Sequence, residues 1–193
     1  MIHKRNYGGF WQNEKGNWSI RDSGKISELF GKTVGIIGTG HIGKETAKIC
    51  EALGMKILTC NSHSTRDELE NLLKNSDIVS LHVPLNDKTF NMISQKEFDI
   101  MKPSAILINT ARSGIVNKFA LVKALNENLI SGAGIDVFDK EPPHEDDVLL
   151  KCKNVILSPH TASITKEASE RTSEMCVKCC LAVLNGEQWF YVV

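Results

Sequence analysis

Residues 33–43 read Thr33-Val34-Gly35-Ile36-Ile37-Gly38-Thr39-Gly40-His41-Ile42-Gly43. A short apolar, β-branched run passes directly into G-x-G-x-x-G, and the string opens onto a helical pattern. The run suits a buried parallel strand. Alone, the glycine string is weak evidence; between a strand and a helix it is the fingerprint of a dinucleotide site rather than a plain glycine-rich turn. Gly38 allows the tight turn, Gly40 lets backbone N–H groups approach a pyrophosphate, and Gly43 lets the helix pack close to the strand. The helix N-terminus adds partial positive charge.

Working outward, strand-like and helix-like segments alternate. Ile42, Ala47, Ile49, Cys50 and Leu53 are placed on one helical face ending at Gly54. Lys56–Cys60 is the next strand. Ser64–Asp67 or Thr65–Glu68 has capping-box spacing, with Leu69, Leu72 and Leu73 forming a short helix behind it. Ile78–Val83 is a strand closed by Pro84. Ser94–Glu97 opens a helix that ends before Pro103. Ala105–Asn109 is a strand, and Lys118–Leu125 a helix capped by Asn117. Gly132–Val137 and Val155–Leu157 are strands, and a long helix runs from Lys166 to Leu184. This is an α/β pattern with short connections, which predicts a Rossmann-like, doubly wound parallel sheet with helices on both faces. Residues 1–31 read as a lead-in segment, 32–185 as the dinucleotide-binding domain and 186–193 as a tail.

Composition narrows the function classes. The chain has 193 residues, 41% of them hydrophobic, and its 23 basic and 23 acidic side chains balance. Zero net charge argues against a nucleic-acid partner or an anionic membrane surface. No apolar run approaches the roughly 20 residues of a membrane span. The first residues lack an apolar signal core, so a cytoplasmic location is expected. The six cysteines then read as free thiols. Cys176, Cys179 and Cys180 lie in a helical pattern with no second Cys/His pair nearby, so they are expected as buried small side chains and no metal is called.

NAD binders carry Asp or Glu at the end of the second strand, about 20 residues on, to hold the ribose 2′-hydroxyl. That position falls at Asn61, which is neutral, and Arg66 follows five residues later. The pair fits a 2′-phosphate, while Arg66 reads equally as a solvated first-turn residue. NAD or NADP therefore both remain as the cofactor.

Three later segments follow strands, where such sheets bind ligands. They are Asn109-Thr110-Ala111-Arg112-Ser113-Gly114, Gly134-Ile135-Asp136-Val137-Phe138-Asp139-Lys140-Glu141-Pro142 and Ser158-Pro159-His160-Thr161-Ala162-Ser163. With Gly31–Gly38 and Ser76–Leu85, and in this order, they resemble the D-isomer-specific 2-hydroxyacid dehydrogenases. That family includes phosphoglycerate, D-lactate and glyoxylate/hydroxypyruvate enzymes. The resemblance runs from about Trp18 to the last residue.

The resemblance implies hydride transfer between NAD(P) and a D-2-hydroxy acid or 2-oxo acid, with Arg112, Glu141 and His160 catalytic. The residue chemistry agrees. Arg112 has the planar fork that pairs with a carboxylate. His160 titrates near neutrality and can protonate a carbonyl oxygen. Glu141 would pair with His160, orient its ring and raise its pKa. The cofactor contacts implied are Gly38, Gly40, His41, Ile42, Gly43, Asn61, Val83, Pro84, Thr110, Ala111, Arg112, Asp136, His160 and Ala162. Asp136 resembles the ligand of the nicotinamide amide. His41 is expected to cover the pyrophosphate, and His82 to pack at a strand end. His3, His63 and His144 read as exposed loop residues. A homodimer is expected, since members of this family commonly dimerise through this domain.

Two departures from the family qualify this reading. The segment that builds the substrate-binding domain is expected to be missing, so the chain reads as the cofactor domain alone, with slow turnover because nothing closes over the site. Second, only 15 residues separate Cys60 from Ser76. They hold a single helix where a helix and a third strand are usual, so one edge strand should be lacking and Lys56–Cys60 left at the edge. The runner-up function is a non-catalytic dinucleotide-sensing module, corepressor-like; a third reading is an inert fragment that self-associates.

Overall fold

The computed structural model describes residues 27–187; the lead-in up to residue 26, which holds His3, and the tail from residue 188 lie outside them. Two compact units are present, one ending at Pro159 and one beginning at His160.

The first unit carries six parallel strands: β1 (Thr33–Ile37), β2 (Lys56–Cys60), β3 (Ile78–Leu81), β4 (Ile106–Asn109), β5 (Gly132–Ile135) and β6 (Val155–Leu157). Their order is β2-β1-β3-β4-β5-β6. This is the doubly wound Rossmann order with the outermost strand beyond β2 left out. Among the described residues β2 pairs with β1 alone, so the expected edge at Lys56–Cys60 is the observed one.

Helix α1 (His41–Ala52) lies on one face, over a small core of Val34, Ile36 and Met55 with Ala47 and Cys50 packed against it. On the other face α2 (Arg66–Asn75), α3 (Gln95–Ile100) and α4 (Lys118–Asn126) cover the main core, which includes Leu72, Leu73, Leu81, Phe98, Leu107 and Leu121. The alternation along β1 decides this split: Val34 and Ile36 point to α1, while Gly35 and Ile37 point to the α2 side. At Gly35 an added Cβ would sit 2.4 Å from Leu72 Cδ2, so the bare backbone admits α2.

Caps explain the helix starts. Thr65 and Glu68 form the capping box of α2, so the second of the two expected boxes is the real one. Ser64 is engaged elsewhere: its hydroxyl accepts from the Asn61 N–H at 3.2 Å. The Glu97 carboxylate accepts from the Ser94 N–H, and Asn117 caps α4 through the Ala120 N–H. Between β5 and β6 the chain makes only a 3-10 turn, Val148–Lys151.

Two expectations fail in their packing. Ile42, Ile49 and Leu53, expected on one helical face with Ala47 and Cys50, are 72%, 63% and 50% exposed. They share a stripe adjacent to the true packing face of Gly43, Ala47 and Cys50. Among the described residues no helix covers that stripe, and no strand lies beyond β2. The second failure is in α5 (Lys166–Leu184), the helix of the second unit. Cys176 and Cys180 are exposed and Cys179 partly so, and Ala182 alone is buried along the helix. Its start is regular, with Thr165 accepting from the Ala168 N–H.

Candidate cofactor and active site

The register lines up the strand ends. Cys60, Ile37, Leu81, Asn109, Ile135 and Leu157 lie in one row across the sheet. The residues that follow them, Asn61, Gly38, His82, Thr110, Asp136 and Ser158, therefore share one edge. The ladder continues one step into that edge. Gly38 N–H donates to Cys60 O, His82 N–H to Ile37 O, Asp136 N–H to Asn109 O and Ser158 N–H to Ile135 O. Most of the first unit's candidate residues are on this row or within a few positions of it.

The three motif glycines differ in what holds them. Gly38 has φ +102°, and an added Cβ would lie 2.5 Å from His82 O. At Gly43 a Cβ would lie 1.9 Å from Gly38 O. Packing and backbone geometry account for both. Gly40 has neither reason: its φ is −70°, and a Cβ there would meet nothing within 4 Å. It caps α1 without any side-chain hydrogen bond, and the first turn of α1 holds no acidic residue. The result is a bare helix N-terminus whose N–H groups and dipole favour an anion. A pyrophosphate fits there, with exposed His41 and Ile42 beside it.

At the end of β2, Asn61 folds onto its own turn. Its Oδ1 accepts from the His63 N–H at 2.9 Å. Arg66 is committed elsewhere: its Nε is 2.9 Å from Glu70 Oε1 and an Nη 2.7 Å from Glu97 Oε1. Arg66 opens α2 with its side chain half-exposed and paired with these two carboxylates. His63 and His144 are exposed as expected, His144 pairing with Asp146.

The nicotinamide side would be lined from β3 and β4. His82 is half-buried, its Nε2 within 2.9 Å of Ser80 Oγ, and burial pulls its pKa down. Val83 is partly buried and Pro84 exposed. After β4, Asn109 shapes the next loop. Its Nδ2 donates to Arg112 O at 2.9 Å and its Oδ1 accepts from the Ala111 N–H at 3.1 Å. Thr110 is exposed and Ala111 partly buried. Arg112 presents an exposed guanidinium, one Nη donating to Ala111 O. Asp136 is buried, and its carboxylate accepts from the Ser158 hydroxyl. Glu141 lies in an exposed loop and accepts from the Phe138 N–H at 3.0 Å.

His160 and Ala162 belong to the second unit. His160 is partly buried with φ 54°. For a residue with a Cβ that region costs about 1–2 kcal/mol, a strain typical of functional positions. Ala162 is exposed.

Sequence reasoning missed Asn109, Lys118 and Ser158. Asn109 carried a readable signal, a polar residue closing the apolar strand Ile106-Leu107-Ile108. The other two act through partners 29 and 22 residues away.

Comparison with known proteins gives one family. The model of the D-isomer specific 2-hydroxyacid dehydrogenase, NAD binding domain, matches residues 3–162. A glyoxylate reductase of Thermococcus litoralis is 46% identical over 169 residues, which are 82% of this chain and 51% of that protein. The NAD+-bound D-lactate dehydrogenase of Lactobacillus jensenii superposes with TM-score 0.83 at 35% identity, over 96% of this chain and 62% of that one. An acyclic imino acid reductase in complex with NADPH and D-Arg superposes with TM-score 0.85 at 31% identity, over 96% and 61%. The chain thus spans about half the length of the curated relatives it matches. It belongs to the D-isomer specific 2-hydroxyacid dehydrogenase family, as that family's NAD-binding domain.

Proposed function

We propose that this chain is the cofactor-binding and catalytic-residue half of an oxidoreductase that interconverts a D-2-hydroxy acid and its 2-oxo acid. Residues 32–185 form the dinucleotide-binding part. The observation that carries the reading is Gly40, a glycine that no internal contact or backbone strain requires, at an uncapped helix N-terminus on the carboxyl row of the sheet.

A nicotinamide dinucleotide supplies the hydride when bound. The residues that would hold it are Gly38, Gly40, His41, Ile42 and Gly43 at the diphosphate, and Asn61 toward the ribose. Val83, Pro84, Thr110, Ala111, Asp136 and Ala162 would line the nicotinamide end. Arg112 pairs with the substrate carboxylate as a bidentate fork. His160 gives a ring-nitrogen proton to the carbonyl oxygen, with Glu141 as the third catalytic residue.

We read the ribose end as accepting both NAD and NADP. No carboxylate stands at position 61 to repel a 2′-phosphate, and Arg66 is committed to Glu70 and Glu97 rather than available to attract one. A homodimer in the cytoplasm completes the proposal. The exposed stripe of Ile42, Ile49 and Leu53 supports association, and six free thiols suit a reducing compartment.

Calorimetric titration of the chain with NADH and, separately, NADPH tests the site. Saturable binding of both, with affinities within about tenfold, is expected. Binding of neither refutes the proposal. Light scattering tests the dimer, and a monomer at micromolar concentration removes it.

A further inference from the structure

Arg112 and Glu141 stand on loops that leave different strands, and one side chain joins the two. Lys118 is the first residue of α4, directly downstream of the Arg112 loop. Its ammonium lies 2.7 Å from Asp139 Oδ2 and 3.0 Å from Asp147 Oδ2. These aspartates bracket the segment 140–146 that contains Glu141. Asp147 also accepts from the Leu149 N–H, starting the following 3-10 turn. Both ends of the Glu141 loop thus meet at a single cation. Asn109, Ser113, Lys118 and Phe138 line one small cavity, so the Arg112 loop, α4 and the Glu141 loop converge there.

The placement runs against the helix. A cation in a first turn opposes the macrodipole, and α4 has no acidic residue in that turn to offset it. Burial pulls the Lys118 pKa down, and the hydrogen bonds with Asp139 and Asp147 more than reverse this, holding it above the usual lysine range. A lysine kept in so unfavourable a position by two carboxylates is there for them.

We propose that Lys118 is a positioning residue: its double ion pair fixes the Glu141 loop to the start of α4 and so sets the Glu141 carboxylate relative to the Arg112 loop. The proposal rests on the roles given above to Arg112 and Glu141, but its test does not depend on turnover.

The test uses Lys118→Met and Lys118→Arg in the full chain, with carboxyl-carbon NMR titration of Glu141 and hydrogen exchange at the Phe138 amide. In Lys118→Met the Phe138 amide should exchange about tenfold faster, the loss of roughly one hydrogen bond. The Glu141 titration midpoint should rise as its bond from the Phe138 N–H weakens. Lys118→Arg should restore both. A general loss of stability would speed exchange at Leu81 and Leu107 as well without moving the Glu141 midpoint, and that pattern overturns the proposal. Because Lys118→Met strands the largely buried Asp147, Asp139→Asn at a half-exposed position provides a second variant. It should shift both readouts in the same direction, by less. Unchanged exchange and an unchanged midpoint in the variants that fold refute the clamp. Titration with NADH separates the two readings: absence of binding by the parent chain defeats the functional proposal while leaving the clamp measurement valid.

Discussion

Alanine at Gly40 and at Gly43 should have opposite effects. At Gly43 the new methyl would stand 1.9 Å from Gly38 O and 3.1 Å from the carbonyl carbon, both backbone atoms at the end of β1. No side chain can rotate away, so α1 must slide off the strand. Overpacking of this kind costs about 3 kcal/mol. For a chain of this size that is roughly 6–12 °C in Tm. At Gly40 the methyl meets nothing within 4 Å, and φ −70° suits alanine. Alanine is a poorer N-cap than glycine by about 0.5 kcal/mol, and its stiffer unfolded chain returns a similar amount. Stability should therefore stay within about 2 °C. The same methyl lies where a diphosphate must approach the first N–H groups of α1, so NADH affinity should fall at least about tenfold, or about 1.4 kcal/mol. Thermal unfolding followed by calorimetric titration reads both quantities on the same sample. A Gly40→Ala chain that folds and binds NADH within about twofold of the parent refutes the assignment of the pyrophosphate to this helix end.

Arg66→Ala should leave the ratio of NADH to NADPH affinity unchanged in paired titrations, while removing the cation from Glu97, a nearly buried carboxylate, at a cost of about 1–2 kcal/mol in urea unfolding. Leu72→Ala should cost about 2–5 kcal/mol as a core truncation. Its combination with Gly35→Ala should be less destabilising than the sum, because truncating Leu72 removes one of the two side chains, with Ser76, that a Cβ at position 35 would strike. Asp77 should shape the acid limb of stability. Burial raises its pKa, but the Thr33 N–H and the Lys102 ammonium outweigh this and hold it below the usual carboxylate range. A carboxyl lower in the folded than in the unfolded state contributes stability above its unfolded pKa and loses it as pH falls through the folded one. The contribution should thus fade below about pH 4. Asp77→Asn should flatten Tm against pH in that range, and an unchanged slope would count against the pair.

Elements marked by local chemistry were legible in the sequence. The six strands were found because each is an apolar run closed by glycine, proline or a polar residue, and α4 because Asn117 precedes a helical pattern. Two capping boxes overlapped between Ser64 and Glu68, and local pattern could not choose between them; the choice came from Asn61, whose turn engages Ser64. What sequence hid was the outcome of pairings between distant residues. Arg66 and Glu97 are 31 positions apart, and only their contact shows that Arg66 is not a free cation. The face of α1 was misread because Ile42, Ile49 and Leu53 are as apolar as Ala47 and Cys50. Periodicity identifies an apolar stripe, but what lies opposite it depends on neighbouring elements, and none covers this one among the described residues.

The carboxyl row of the first unit is complete without a strand beyond β2 among the described residues. The chain leaves β2 at Cys60, makes one turn through Asn61 to Ser64 and enters α2 on the opposite face. Cys60 still closes the carboxyl row, because its carbonyl accepts from the Gly38 N–H at the start of the glycine turn. Nothing on that row depends on a strand beyond β2. The holding of α2 is different. With no outer strand among the described residues, α2 is secured by Leu69, Leu72 and Leu73 beneath it and by Arg66, which reaches Glu97 on α3. Turning that arginine outward would take the cation away from the nearly buried Glu97, a cost of about 1–2 kcal/mol. With no strand beyond β2 among the described residues, Arg66 thus serves as a clasp between α2 and α3.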